Sequence, residues 1–281
     1  MARSTRVVRT RAELREALGG LPRPIGFVPT MGWLHVGHRS LMQRARAEDA
    51  TTVVSIFVNP RQFGAPSDLE QYPRAEARDV EICAEEGVAL VFAPAVEEVY
   101  PPGFDTTVSV GAVARPLEGA ARPGHFEGVA TVVAVLFNLV GAERAYFGRK
   151  DYQQLLVIRQ MARDLAIATE VVGLPTVRAP DGLAVSSRNV HLSPAERVAA
   201  PVVHRALAGA VAAWQRGERS ADALRRMMSD ALAGEPLANP EYVSVADART
   251  LRELEVVEAP ALLSTAVRFG STRLIDNEPL E

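Results

Sequence analysis

Two histidines three residues apart, His35 and His38, lie in the segment Pro29-Thr30-Met31-Gly32-Trp33-Leu34-His35-Val36-Gly37-His38, and the whole chain has only five. Imidazole titrates near ~6.5, so both its neutral and its charged form are reachable at physiological pH. A pair of imidazoles at one point can donate to phosphate oxygens and stabilise the charge that develops during phosphoryl or nucleotidyl displacement. Gly32 and Gly37 let the backbone approach a ligand closely, and a helix beginning near His38 adds free N–H groups and a positive dipole end. The same residues would equally serve to cap a loop and close a tight turn. Neither a Walker A pattern nor Gly-x-Gly-x-x-Gly is present, so the loop belongs to neither of those nucleotide-binding types.

Three further segments carry candidate chemistry. In Phe57-Val58-Asn59-Pro60-Arg61-Gln62-Phe63, Asn59 and Gln62 are uncharged groups able to recognise a hydroxyl or a carboxylate, although Asn-Pro is also an ordinary turn starter. Phe147-Gly148-Arg149-Lys150-Asp151-Tyr152-Gln153-Gln154 holds Lys150, the single lysine among 31 basic residues. An ammonium is compact and can direct all its donors at one phosphate locus, which a guanidinium cannot do. Asp151 can cap the helix that follows. In Val185-Ser186-Ser187-Arg188-Asn189, two hydroxyls and an arginine suit a mobile clamp on a polyphosphate, or a polar linker. The loop Arg122-Pro123-Gly124-His125-Phe126-Glu127-Gly128 reads as flexible and near a cleft, with His125 equally well structural. His191 and His204 read as structural or surface residues.

These segments sit between elements that the pattern of apolar residues predicts. Strands are expected at 25–28, 51–58, 88–93, 144–148 and 169–174, alternating with helices at 38–50, 74–86, around 127–140 and 151–165. That alternation is the signature of βαβ units and a parallel sheet, whose ligands bind at the carboxyl ends of strands. Beyond about 175–190 the pattern changes. Ser193 as N-cap, Pro194 and Glu196 open one long helix to about Gln215, a second helix covers 220–232, and strands follow at 242–246, 264–269 and 272–276. The expected fold is α/β: a Rossmann-like parallel-sheet N-terminal domain with a smaller α+β C-terminal domain.

The 281 residues carry 31 Lys+Arg against 34 Asp+Glu, for a formal net charge of −3. That balance argues against a chain built to grip nucleic acid or an anionic membrane. A hydrophobic share of 48% with 23% charged residues excludes wholesale disorder. One cysteine, Cys83, rules out an intramolecular disulfide and a thiolate-rich zinc site, and it reads as a small hydrophobe buried on a helix. The start, Met1-Ala2-Arg3-Ser4-Thr5-Arg6, has no apolar run behind it and is not expected to be a secretory signal. The apolar stretch 129–142 falls short of the roughly 18–20 residues that span a bilayer and reads as a core helix.

In order, Pro-Thr-Met-Gly-x-Leu-His-x-Gly-His, Phe-Val-Asn-Pro-x-Gln-Phe, Arg-Pro-Gly-His-Phe-x-Gly-Val, Lys-Asp-Tyr-Gln-Gln-Leu and Ser-Ser-Arg-Asn closely resemble the pantoate–β-alanine ligases. This is the pantothenate synthetase family of the His-x-Gly-His nucleotidyltransferases. The resemblance is strongest over 25–192. One departure is Arg149, where the family usually has Glu, and Trp33 is bulky for its place.

The resemblance implies a two-step reaction, in which ATP and pantoate form pantoyl adenylate and β-alanine then displaces AMP. It implies catalysis by His38, His35 and Lys150, and an ATP site of Met31, Gly32, Trp33, Leu34, His35, Val36, Gly37, His38, Gly148, Arg149, Lys150, Asp151, Val177, Val185, Ser186, Ser187 and Arg188. Gln62, Gln154 and Asn59 are the expected substrate contacts. ATP is then a substrate with Mg2+ expected beside it, pantoate and β-alanine are the other small-molecule partners, and neither nucleic acid nor membrane is a partner. A cytoplasmic homodimer is expected, with residues 1–178 as a nucleotide- and pantoate-binding domain and 179–281 as a lid domain. Two other functions fit parts of the pattern: a nucleotidyltransferase whose product keeps the nucleotide, and a non-catalytic nucleotide- or RNA-binding module.

Overall fold

A computed structural model describes residues 5–64 and 69–281. The chain divides into two compact units. One runs through Arg149 and includes Gln153–Pro175; the other comprises Lys150–Tyr152 and Thr176–Glu281. Met1–Ser4, part of the N-terminal segment read above for a secretory signal, lie outside the described residues.

The first unit is built on a six-stranded sheet. Its strands are β1 (Arg6–Val8), β2 (Ile25–Thr30), β3 (Thr51–Ile56), β4 (Leu90–Phe92), β5 (Arg144–Gly148) and β6 (Glu170–Leu174), in the order β1-β4-β3-β2-β5-β6. Every pairing is parallel. The β3 residues Thr51 to Ser55 are all buried, as a strand covered on both faces requires. Successive residues serve opposite faces. Phe27 and Val53 join a core with the helices Arg11–Gly19, His125–Val140 and Tyr152–Asp164, whereas Val28 and Val54 pack with Leu41, Met42, Ile82 and Cys83 from the helices Val36–Glu48 and Glu76–Glu85. The chain winds from β2 outward through β3 on one side and through β5 and β6 on the other, so the order reverses between β2 and β5. Ligands of open parallel sheets bind at such a reversal, beyond the strands' carboxyl ends.

The expected α/β class is therefore observed, with several differences in its elements. Strand β1 and the helix Arg11–Gly19 are additional; Thr10 and Glu13 form a capping box at that helix start. The helix after β2 begins at Val36 rather than His38, because the His35 imidazole acts as its cap. A 3-10 turn, Arg149–Asp151, precedes the Tyr152–Asp164 helix. The apolar stretch forms the core helix His125–Val140, whose N-cap Gly124 has φ +79. Among the described residues no helix is long and apolar enough to cross a membrane.

The second unit is α+β. Its helices Pro194–Ala199, Val202–Gln215 and Ala221–Ala233 accompany an antiparallel sheet, β7 (Asn239–Asp247), β8 (Ala261–Phe269) and β9 (Thr272–Leu280), in that order. The single long helix expected from Ser193 is interrupted at Ala200-Pro201, where Pro201 leads the second helix. Ala206, Leu207 and Ala210 pack with Leu224, Met228, Val245 and Leu263 to make its core.

Candidate active site

The loop after β2 brings both histidines to the N-terminus of the Val36–Glu48 helix. His35 is the N-cap, and its Nδ1 accepts from the Gly37 N–H at 3.1 Å. His38 occupies the third helical position, and its Nδ1 accepts from the His35 N–H at 3.2 Å. This is a capping box made from two imidazoles where Ser and Glu are usual. The rings lie 4.1 Å apart between centroids. Because each Nδ1 accepts, the neutral form of each ring carries its proton on Nε2. The cap thus fixes a tautomer in which Nε2 is a donor. Capping and phosphate recognition, alternatives in the sequence, are compatible in this geometry.

Gly32 and Gly37 meet protein atoms at close range. A Cβ on Gly37 would lie 3.0 Å from His35 Cε1, and one on Gly32, where φ is +79, would lie 3.0 Å from Asp79 Oδ2. Leu34 is fully buried, Trp33 adopts φ +52, and Val36 is exposed. Asp79, absent from the sequence-based site, accepts from the N–H groups of Trp33 (2.7 Å) and Leu34 (2.8 Å). The signal that could have found it is its position. Asp79 stands three and four residues before the buried Ile82 and Cys83, a carboxylate on the inward face of a helix.

Beyond β3, Asn59 caps a 3-10 turn, Pro60–Gln62. Its Nδ2 donates to Gln62 Oε1 (3.0 Å) and the Gly128 carbonyl (3.1 Å), and its Oδ1 accepts from the Arg61 N–H (3.2 Å) and the Tyr100 hydroxyl (2.8 Å). Burial pushes the Tyr100 phenol up, which keeps it a donor. Asn59 is 1% exposed with its polar atoms fully engaged inside the protein, so it orients Gln62. With the Gln62 Oε1 accepting from Asn59, Nε2 is the donor end of that side chain.

The Gln62 carbonyl accepts from His125 Nδ1 (2.9 Å) and Arg122 (3.4 Å), and His125 Nε2 faces Arg122 Nη1 at 3.1 Å. The 122–128 segment, expected to be flexible, is a clamp on the Gln62 turn. Of the paired glutamines after β5, Gln153 bonds the Val113 and Pro116 carbonyls and the Glu118 N–H. Gln154, the expected substrate contact, makes none of these bonds.

In the second unit, Lys150 Nζ lies 3.6 Å from Asp151 Oδ1, with its side chain 16% exposed, and its carbonyl accepts from Asn277 Nδ2 at 2.8 Å. Val177 and Val185 are brought together, the Val185 N–H donating to the Val177 carbonyl at 2.9 Å beside the Arg178–Ala184 bridge. Ser186 caps a 3-10 turn, Ser187–His191, by accepting from the Arg188 N–H. That turn orders the Ser-Ser-Arg segment.

The pantoate–β-alanine ligase family model matches residues 6–279. The chain belongs to the pantoate–β-alanine ligase family. The ligase-family relatives include the pantothenate synthetase of Roseiflexus castenholzii, 55% identical over 98% of this chain and 99% of that protein. The pantothenate synthetase of Chloroflexus aggregans is 57% identical over 96% and 98%. The crystal structure of pantothenate synthetase from Thermus thermophilus superposes with a TM-score of 0.93 at 51% identity, covering 97% of this chain and 98% of that one. That of pantoate–β-alanine ligase from Francisella tularensis, complexed with beta-gamma ATP and β-alanine, gives 0.80 at 32% identity, covering 97% of each.

Proposed function

We propose that this member of the ligase family condenses pantoate with β-alanine to give pantothenate, with ATP cleaved to AMP and pyrophosphate. In the first step a pantoate carboxylate oxygen attacks the α-phosphorus of ATP, the bond to pyrophosphate breaks, and pantoyl adenylate forms. In the second, the β-alanine amine attacks the acyl carbon of that mixed anhydride, loses a proton and expels AMP.

The observation that carries this reading is the imidazole pair on the helix N-terminus at the β2 end of the sheet. His35 and His38 would direct Nε2 donors at phosphate oxygens as negative charge grows there, and the helix dipole acts in the same sense. Lys150 supplies a compact positive charge to the same chemistry, and Ser186, Ser187 and Arg188 hold the departing phosphates. Met31 to His38, Gly148, Arg149, Asp151, Val177 and Val185 complete the nucleotide contacts. Gln62 and Gln154 hold pantoate, and Asn59 acts through Gln62. Gln62 Nε2, a donor without charge, suits a hydroxyl or carboxylate oxygen of the substrate.

Among the described residues no group of three or more His, Cys, Asp or Glu forms a metal cage. Mg2+ is expected as a companion of ATP, where it would offset the negative charge of the phosphates. By resemblance to its family the enzyme works as a homodimer in the cytoplasm. The test of the reading is pyrophosphate release that requires both ATP and pantoate, followed by AMP release that requires β-alanine.

A further inference from the structure

Asp79 is 1% exposed on the helix Glu76–Glu85. A buried carboxylate is costly unless donors surround it, and here the donors are two consecutive backbone amides of one loop, Trp33 at 2.7 Å and Leu34 at 2.8 Å. Arg78 closes the arrangement from outside. Its guanidinium lies 5.3 Å from the Trp33 ring centroid, donates to the Leu34 carbonyl at 3.1 Å and stands 4.0 Å from Asp79 Oδ1.

The loop so gripped is in a conformation it would not choose alone. Gly32 has φ +79 and Trp33 φ +52. Glycine enters this left-handed region freely, but a bulky residue does not. Directly after this turn the chain extends through Leu34 and places His35 as the cap of the next helix. The grip has a second consequence. Consecutive backbone amides in such a turn are the usual cradle for a phosphate, yet at Trp33 and Leu34 they are already bound to a carboxylate. Phosphate recognition by this loop starts at His35.

We propose that Asp79 is a positioning residue for nucleotide binding, its carboxylate holding the Trp33–Leu34 backbone in the left-handed turn that delivers His35 and His38 to the phosphates. The inference rests on the ligase reading for the identity of the nucleotide, and it assigns Asp79 no contact with ATP. Asparagine at this position keeps one acceptor and turns its Nδ2 against the other amide.

The experiment is titration of a non-hydrolysable ATP analogue into purified wild-type, Asp79→Asn, Gly32→Ala, Trp33→Gly and Asp79→Asn/Trp33→Gly proteins, with steady-state KM values for ATP and β-alanine measured alongside. Asp79→Asn is expected to weaken analogue binding roughly 10- to 100-fold, the range of a lost charge-assisted hydrogen bond, and to raise the KM for ATP while that for β-alanine stays in place. Gly32→Ala, which crowds Asp79 and strains a left-handed residue, gives the same pattern with the carboxylate intact. Because glycine at 33 removes the strain that Asp79 opposes, Asp79→Asn costs less in the Trp33→Gly background than in the wild type. The proposal is overturned by Asp79→Asn protein that binds the analogue like the wild type, by equal losses for ATP and β-alanine, or by an undiminished loss in the Trp33→Gly background. If wild type binds the analogue but releases no pyrophosphate with pantoate, the ligase reading fails and the Asp79 comparison still stands on binding. Wild type that does not bind the analogue overturns both.

Discussion

The side-chain amide of Asn277, on the last strand of the chain, donates to the main-chain carbonyl of Lys150 over 2.8 Å. The lone lysine is thus anchored through its backbone by a residue 127 positions away, while its ammonium remains beside Asp151. Arginine at 150 keeps the charge but replaces a compact ammonium with a planar fork. Lys150→Arg is expected to lower the rate of adenylate formation by roughly 100-fold or more. Asn277→Asp, which sets a carboxylate against the Lys150 carbonyl, lowers it less, by about tenfold. Single-turnover pyrophosphate release measures both, and near-normal activity in Lys150→Arg would remove Lys150 from the mechanism.

His38 has two separable duties. Its Nδ1 caps the His35 N–H, and its Nε2 is the proposed phosphate donor. His38→Ala loses both, with a stability cost of about 1 kcal/mol and a severe loss of adenylate formation. His38→Glu restores the side chain that a capping box ordinarily uses and not the donor. Thermal denaturation is expected to place the Glu variant above the Ala variant, while both stay inactive in pyrophosphate release.

His125 holds the Gln62 carbonyl, and through it would act on the proposed pantoate contact. His125→Asn keeps a nitrogen donor near the position of Nδ1, whereas His125→Ala removes it. The KM for pantoate is expected to rise about tenfold in the Ala variant and much less in the Asn variant. Gly128→Ala, whose Cβ would collide with the Arg61 carbonyl, displaces the same turn and raises the same KM.

Cys83 is fully buried, and burial, with the nearby Asp79 charge, pushes its thiol up to about 12. The thiolate is the reactive form, so the native protein is expected to resist a thiol-specific reagent at neutral pH and to react once unfolded. Rapid labelling of the folded protein would contradict this placement.

The parallel sheet was legible because β2 to β5 carry compact apolar runs whose burial leaves a direct mark on the residue types, and the half-buried edge strand β6 still carries paired valines. Strand β1, Arg6–Val8, has only two apolar residues and begins on a charged one, too little for a pattern, and the helix after it was missed although Thr10-x-x-Glu13 has the form of a capping box. The break at Ala200-Pro201 was hidden by an Ala-rich sequence that suits a helix on either side. The motif residues of the loops were visible from type and spacing. What the sequence could not display was which polar atoms are engaged within the protein. Asn59 and Gln153 bind partners up to 69 positions distant, and only the packed fold makes those bonds. Asp79 and Asn277 escaped for the same reason, since each acts on a segment remote in the chain.

The central claim is a ligation through an acyl adenylate, and its most direct test is pyrophosphate release from ATP and pantoate with and without β-alanine. Without β-alanine the account predicts a burst of about one pyrophosphate per site, with the adenylate retained. With it, turnover is sustained and yields AMP and pantothenate. Pyrophosphate release that does not depend on pantoate, or a product that keeps the nucleotide in the presence of β-alanine, would contradict the account.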